Sequence, residues 1–281
     1  MSPVETRSRT AAWFPGPAPE DGPAPARLVC IPYAGGTASL FREWQRRLGP
    51  EVEVVSVQLP GRGLRLREQP YTASAALVPD LASALVEAGL CRDYALFGHS
   101  MGALLAYEVA CELRERGEQE PFHLYVSGSR APHLYGTRED HLLSDEELRA
   151  LVSDLGGLER DRAVDTAYFE RRLPVLRADL RVCETYRWRP RRPLRCPMTA
   201  FSASRDVLAS APQTEAWRDY TSGSFLRRHF QGDHFFLNDG PTRERLLRSL
   251  SDELAGAGAD LPARAAGSQS AHARREAPWT S

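Results

Sequence analysis

Tyr94-Ala-Leu-Phe-Gly-His-Ser-Met-Gly-Ala103 is the stretch on which the fold turns. Its first part, Tyr94 to Phe97, reads as a buried strand, and a helical pattern runs from Ala103 to Arg116. Between them stands Gly98-His99-Ser100-Met101-Gly102. A turn that takes a strand so abruptly into a helix is strained, and it closes only if the residues two positions either side of its centre lack side chains. Gly98 and Gly102 meet that need. Ser100 then stands at the N-terminus of a helix, where backbone N–H groups and the helix dipole favour developing negative charge.

The flanking sequence repeats the strand-then-helix theme. Further apolar strand candidates are Arg27 to Tyr33, Val52 to Val57, His123 to Val126 and Met198 to Ser202, with a weaker one at Phe225 to Phe230. Helical patterns fall between them at Leu40 to Leu48, Ser74 to Ala88 and Ala211 to Tyr220, and a last one follows from Thr242 to Leu254. Such alternation implies an α/β fold, a mostly parallel central sheet with helices on both faces. One stretch departs from it. From about Ala131 to Pro193 there are helical patterns and no convincing strand. Ser144-x-x-Glu147 is a capping box that opens one helix, and Gly156-Gly157 closes it. Phe169, Leu173, Leu176 and Leu180 repeat as an amphipathic helix, which Pro174 either kinks or starts. An all-helical insertion between two strands is a lid candidate, expected to cover about residues 131–193, with its apolar faces turned to a chamber or packed on the body.

A serine hydroxyl is a weak nucleophile without a base. Of the seven histidines, His234 lies on the segment Gly232-Asp233-His234-Phe235-Phe236, after the last strand and before the last helix. His229 falls within that strand and is committed to a sheet face, and His99 points away along the turn. The order serine, acid, histidine along the chain is that of the α/β-hydrolase fold. It makes Asp206, on the loop after Met198 to Ser202, the acid that would orient His234. Asp233 adjoins His234 too closely to reach its ring, while Asp179 and Asp219 fall on helical patterns and read as solvated. An oxyanion needs two donors. The N–H of Met101 is one, and the loop Pro32-Tyr33-Ala34-Gly35-Gly36 offers that of Ala34 or Tyr33 as the other. Tyr33, Leu176 and Leu180 are the candidate substrate-binding side chains.

Composition excludes other classes. The formal net charge of -1 gives no basic excess with which to track phosphates, so nucleic acid is not an expected partner. No apolar run reaches the ~18 residues of a membrane span, and the N-terminus has no apolar signal segment. The five cysteines are scattered and never spaced C-x-x-C, which argues against a disulfide framework and a zinc site. A cytoplasmic, monomeric protein is the expectation. Residues 1–25 and 256–281 read as flexible arms around one domain over 26–255, although Trp13 and Phe14 could dock on the body.

Four motifs in one order carry a resemblance: Pro32-Tyr-Ala-Gly-Gly36, Leu59-Pro-Gly-Arg-Gly-Leu-Arg65, Gly98-His-Ser-Met-Gly102 and Gly232-Asp-His-Phe-Phe-Leu237. With Leu173-Pro-Val-Leu-Arg-Ala-Asp-Leu180 and Glu184-Thr-Tyr186, they resemble the type II thioesterases, the stand-alone editing enzymes of polyketide and nonribosomal peptide assembly lines. The resemblance runs from about residue 27 to 253 and implies an α/β-hydrolase core with a helical lid. It implies Ser100, Asp206 and His234 as triad and Met101 with Ala34 as oxyanion hole. The implied substrate is an acyl thioester on the phosphopantetheine arm of an acyl or peptidyl carrier protein, and no metal or organic cofactor is called for. The acid loop Ser202-Ala-Ser-Arg-Asp206-Val departs from the Gly- and Asp-rich form common in that family. A run of arginines, Arg171, Arg172, Arg177, Arg181, Arg187, Arg189, Arg191 and Arg192, suggests a basic patch that would steer an acidic carrier.

Overall fold

The computed structural model of the chain describes residues 10–16, 26–156 and 166–255. Six strands form one sheet: β1 Ala26–Ile31, β2 Val52–Ser56, β3 Tyr94–His99, β4 His123–Ser127, β5 Met198–Ala203 and β6 Phe225–Phe230. Their order is β2-β1-β3-β4-β5-β6, and every neighbouring pair is parallel. Strand β1 ends at Ile31 because Pro32 has no N–H to give the ladder. Strand β3 runs two residues past the apolar stretch, since Gly98 still faces Ile31 and Val126 and His99 still faces Ser127.

Alternation along the strands builds two cores. Val29, Ile31, Leu96, Leu124 and Val126 point to one face, where they meet α1, Ser74–Glu87, and α2, Met101–Glu115. Leu28, Cys30, Phe97, Tyr125 and Phe201 point to the other, under Phe41, Trp44 and the leucines of the last helix, α5, residues 240–255. Each large apolar side chain so buried contributes roughly 1.5–3 kcal/mol. The expected helix Leu40 to Leu48 is two pieces, Ala38–Phe41 and Trp44–Leu48, and Ala211 to Tyr220 likewise divides at Ala216.

Between β4 and β5 no described residue belongs to a strand of the sheet, and Leu194 makes only an isolated parallel bridge to Thr221. Helix α3, Asp145–Asp154, carries the expected capping box: Glu147 N–H donates to Ser144 Oγ at 3.2 Å and Ser144 N–H to Glu147 at 2.8 Å. Helix α4, Thr166–Glu184, continues through Pro174 and is not started by it. Leu148, Phe169 and Leu173 make a third, small core of their own. The apolar faces of α3 and α4 thus mainly bury one another. Residues 256–281 and most of 1–25 lie outside the described residues. Trp13 does dock: it is 3 % exposed and joins the α1–α2 core. No described helix is long and apolar enough to cross a membrane. All five cysteines are unpaired.

Candidate functional site

In a parallel sheet all carboxyl ends of the strands lie along one edge, and four of them supply this site. Ser100 follows β3, the Tyr33–Gly36 loop follows β1, Asp206 follows β5 and His234 follows β6. The turn at Ser100 has the geometry its glycines allow. Ser100 sits at φ 54°, ψ −120°, a region that costs a non-glycine residue ~1–3 kcal/mol. A Cβ on Gly98 would lie 2.0 Å from the Gly102 carbonyl oxygen, and one on Gly102 2.2 Å from that of Ile31. The strain is held from the next strand, because Ser100 N–H donates to the Ser127 carbonyl at 2.8 Å.

The structure brings Ser100, His234 and Asp206 into one hydrogen-bonded chain. His234 Nε2 lies 3.0 Å from Ser100 Oγ, and Nδ1 lies 3.0 Å from each Asp206 oxygen. Both ring partners are shielded, His234 at 2 % and Asp206 at 6 % exposure. Asp206 Oδ1 also accepts the N–H groups of Leu208 (2.9 Å) and Ala209 (3.0 Å), which fix the carboxylate before it meets the ring. An acceptor at Nδ1 places the imidazole proton there and leaves the Nε2 lone pair to the serine hydroxyl. His229 is elsewhere, bonded through Nδ1 to Ser202 Oγ at 2.9 Å. Asp233 turns toward Gly156, where a Cβ would fall 2.5 Å from its carboxyl carbon.

His99 is a larger part of the site than its sequence position suggests. It turns from Ser100 to Ser127 Oγ at 2.9 Å, and its ring centroid lies 5.1 Å from that of His234. Burial, then the nearby His234, pushes its pKa well below the ordinary histidine value. A neutral His99 leaves a positive charge formed on His234 unopposed.

The loop after β1 is equally constrained. Gly36 N–H closes on the Tyr33 carbonyl at 2.8 Å, and Gly35, at φ 76°, donates its N–H to Asp179 Oδ2 at 2.7 Å. Ala34 lies between the two and lines the same cavity as Ser100 and Met101. Asp179 is therefore not a solvated helix residue. It is 2 % exposed, and Arg62, 4 % exposed, meets it with a guanidinium fork whose Nη2–Oδ1 distance is 2.7 Å. No helical periodicity could show this, because the partner comes from another loop.

Leu180 lines the cavity as well, but Tyr33 and Leu176 pack elsewhere. Tyr33 stands edge-on to Phe235 at 4.9 Å, and Leu176 lies over Gly35, 3.5 Å from where a Cβ would be. Much of the remaining wall is polar, with Arg130, Arg138, Asp140 and Glu184. Arg138 pairs with Asp140, and Glu184 accepts the Asp140 and His141 N–H groups at 2.9 and 3.0 Å. Cys183 also lines the cavity, but burial and the Asp179 carboxylate push its thiol well above the usual range and keep it protonated. The arginine patch is smaller than its sequence count. Arg177 pairs with Asp145 at 2.6 Å and Arg191 with Glu108 at 3.0 Å, whereas Arg171, Arg181, Arg187, Arg189 and Arg192 are exposed.

Comparison with known proteins places this geometry in a family. The family model described as Thioesterase domain matches residues 26–254. RedJ, a thioesterase from the prodiginine biosynthetic pathway in Streptomyces coelicolor, is 62 % identical; it superposes with a TM-score of 0.80 over 86 % of this chain and 98 % of its own. YbtT, a type II thioesterase from the yersiniabactin NRPS/PKS pathway, is 31 % identical with a TM-score of 0.73, over 86 % of this chain and 97 % of its own. Thioesterase PikA5 of Streptomyces venezuelae is 40 % identical over 83 % of each chain. With a match across nearly all of its sheet and insertion, this chain belongs to the thioesterase domain family: it is an α/β-hydrolase-fold enzyme that hydrolyses thioesters, a homologue of the type II thioesterases of nonribosomal peptide and polyketide pathways.

Proposed function

We propose that the chain clears stalled or aberrant acyl groups from the phosphopantetheine arms of acyl or peptidyl carrier proteins, with Ser100, His234 and Asp206 as catalytic triad. The observation that carries this reading is the 3.0 Å approach of His234 Nε2 to Ser100 Oγ, with Asp206 on the opposite ring nitrogen. His234 takes the hydroxyl proton as Ser100 Oγ attacks the thioester carbonyl carbon. The oxyanion is received by the N–H groups of Met101 and Ala34. As the tetrahedral centre collapses, the C–S bond breaks and His234 protonates the departing pantetheine sulfur. A water molecule then repeats the sequence on the acyl-enzyme, releasing the free acid and restoring Ser100. Asp206 supports the imidazolium at both stages without taking the proton.

The segment between β4 and β5 acts as the lid over this centre. It supplies the cavity wall through Leu180 and Glu184, while the sheet supplies the reacting groups. The exposed Arg171, Arg181, Arg189 and Arg192 lie along and after α4, where an acidic carrier surface would find them. The test is a panel of acyl-carrier proteins measured beside the same acyl groups on a small thiol and as oxygen esters. The expected result is kcat/KM highest for the carrier-bound thioesters. Faster turnover of the oxygen esters would make the chain an esterase on this fold, and equal rates on carrier and small thiol would remove the carrier from the reading.

A further inference from the structure

We infer that Asp179 is a positioning residue for the oxyanion hole: from the lid helix it holds the Gly35 N–H and so sets the neighbouring Ala34 N–H against Ser100. This rests on the triad reading above. Three contacts tie α4 to the loop after β1. Asp179 Oδ2 accepts Gly35 N–H at 2.7 Å. Leu176, three residues earlier and on the same helix face, closes over the Cα of Gly35. Arg62 completes the clamp from the Leu59–Arg65 loop, bonding Asp179 through both terminal nitrogens and reaching the Gly36 carbonyl at 3.4 Å.

The arrangement is oriented rather than merely cohesive. A guanidinium and a carboxylate this deeply buried each leave the other uncompensated if they part, so neither moves without the other. Gly35 at φ 76° would be free to rotate without that acceptor, and its rotation turns the Ala34–Gly35 peptide, to which the peptide carrying the Ala34 N–H is joined at the Ala34 Cα. Gly36 N–H is already committed to Tyr33. Ala34, beside these two committed N–H groups, lines the cavity together with Ser100 and Met101. Because Asp179 belongs to the lid helix, the hole is complete only when α4 is seated. Leu180, the next residue, lines the same cavity, so an acyl group that displaces the helix also loosens the donor.

The test uses the full chain and rates normalised to sites titrated with a fluorophosphonate. Asp179→Ala removes the acceptor, while Asp179→Asn keeps an oxygen for Gly35 N–H but loses the charge. Arg62→Gln combined with Asp179→Asn restores a neutral, hydrogen-bonded pair if the single variants fold poorly. Losing one oxyanion donor costs on the order of 10²–10³ in kcat. The expected result is a kcat loss of about 10²-fold in Asp179→Ala and about tenfold in Asp179→Asn. KM should stay within about threefold, and affinity for a trifluoromethyl ketone, whose hydrate mimics the oxyanion, should fall in step with kcat. The pH limb of His234 should not move. Per-site kcat and ketone affinity unchanged in all three variants, with only a lower Tm, would make the pair structural and overturn the inference. A shifted pH limb would instead make Asp179 the partner of His234. Ser100→Ala, run alongside, separates the two levels: activity retained there sinks the triad reading itself, whatever Asp179 does.

Discussion

The sheet and the insertion between β4 and β5 are held together by different physics. The sheet lies between two extensive apolar cores, and its backbone is paired on both sides of β1, β3, β4 and β5. Among the described residues, the insertion's own core rests on three buried side chains, Leu148, Phe169 and Leu173. The insertion's ties to the body include buried polar ones, Arg62 to Asp179, and Tyr186 and Arg191 to Glu108, at 2.5 and 3.0 Å, beside apolar ones such as Val182 in the α1–α2 core. A close-packed apolar core resists displacement in every direction, whereas a few buried ion pairs define one seat and lose their compensation once it is left. The body is thus built to hold its side chains rigidly, while the insertion has a defined polar seat. On the function proposed above, bond-making falls to the first region and selection to the second.

The largest effects should come from the body. Asp206→Asn is expected to lower kcat by about 10⁴-fold by reversing the His234 tautomer, with no loss of helical or strand signal in circular dichroism. Asp233→Asn, next to the same histidine, should change kcat less than about threefold, since Asp233 faces Gly156. A crippled Asp233→Asn enzyme would break the assignment of the acid to the β5 loop.

Substitutions in the insertion should alter preference before rate. Leu180→Trp narrows the cavity and is expected to reduce kcat/KM roughly tenfold for long acyl chains and little for acetyl. A uniform loss across chain lengths would mean that Leu180 serves packing alone. Reversing the exposed Arg181, Arg189 and Arg192 to Glu should erase the advantage of carrier-bound substrates and spare the small thioester. In the unaltered enzyme the same advantage should shrink with salt, as surface charges are screened beyond about 10 Å at 0.1 M. Carrier preference untouched by either change would place docking on the sheet side.

The smallest effect concerns stability. The folded chain holds His99 neutral below the pH at which the unfolded chain protonates it, near 6.5. Between the two pKa values the unfolded state binds the extra proton, so stability falls as pH drops, by at most about 1.4 kcal/mol per pH unit. His99→Gln should remove that slope in denaturant titrations between pH 6.5 and 5. An unchanged slope would assign it to another group.

What was legible in the sequence follows the same division. The strands read clearly because a strand buried on both faces is a short unbroken apolar run. Ser100, Asp206 and His234 could be named because each follows a strand, and chain order restricts which side chain reaches which. The Arg62–Asp179 pair joins residues 117 apart, and helical periodicity says only that Asp179 lies on a helix, not what meets it. The apolar stripe of α4 was equally ambiguous. Leu173 packs on Leu148 and Phe169, Leu176 on Gly35, and only Leu180 of the three faces the cavity.

Trp13 has a consequence for anyone who trims this chain. The family match begins at residue 26, yet the folding unit begins earlier. The Trp13 carbonyl accepts Gln58 N–H at 2.7 Å, and its indole lies under the Arg65 guanidinium at 4.1 Å. Arg65 in turn donates to the Gln58 carbonyl, and Gln58 Nε2 to that of Arg62. A version cut at the homology boundary would lose a keystone outside the recognised arch: it would bare an apolar floor over α1 and slacken the loop that carries Arg62. Homology marks where relatives agree, and here the structure extends past that line, with Trp13 buried and Phe14 packed on the same core.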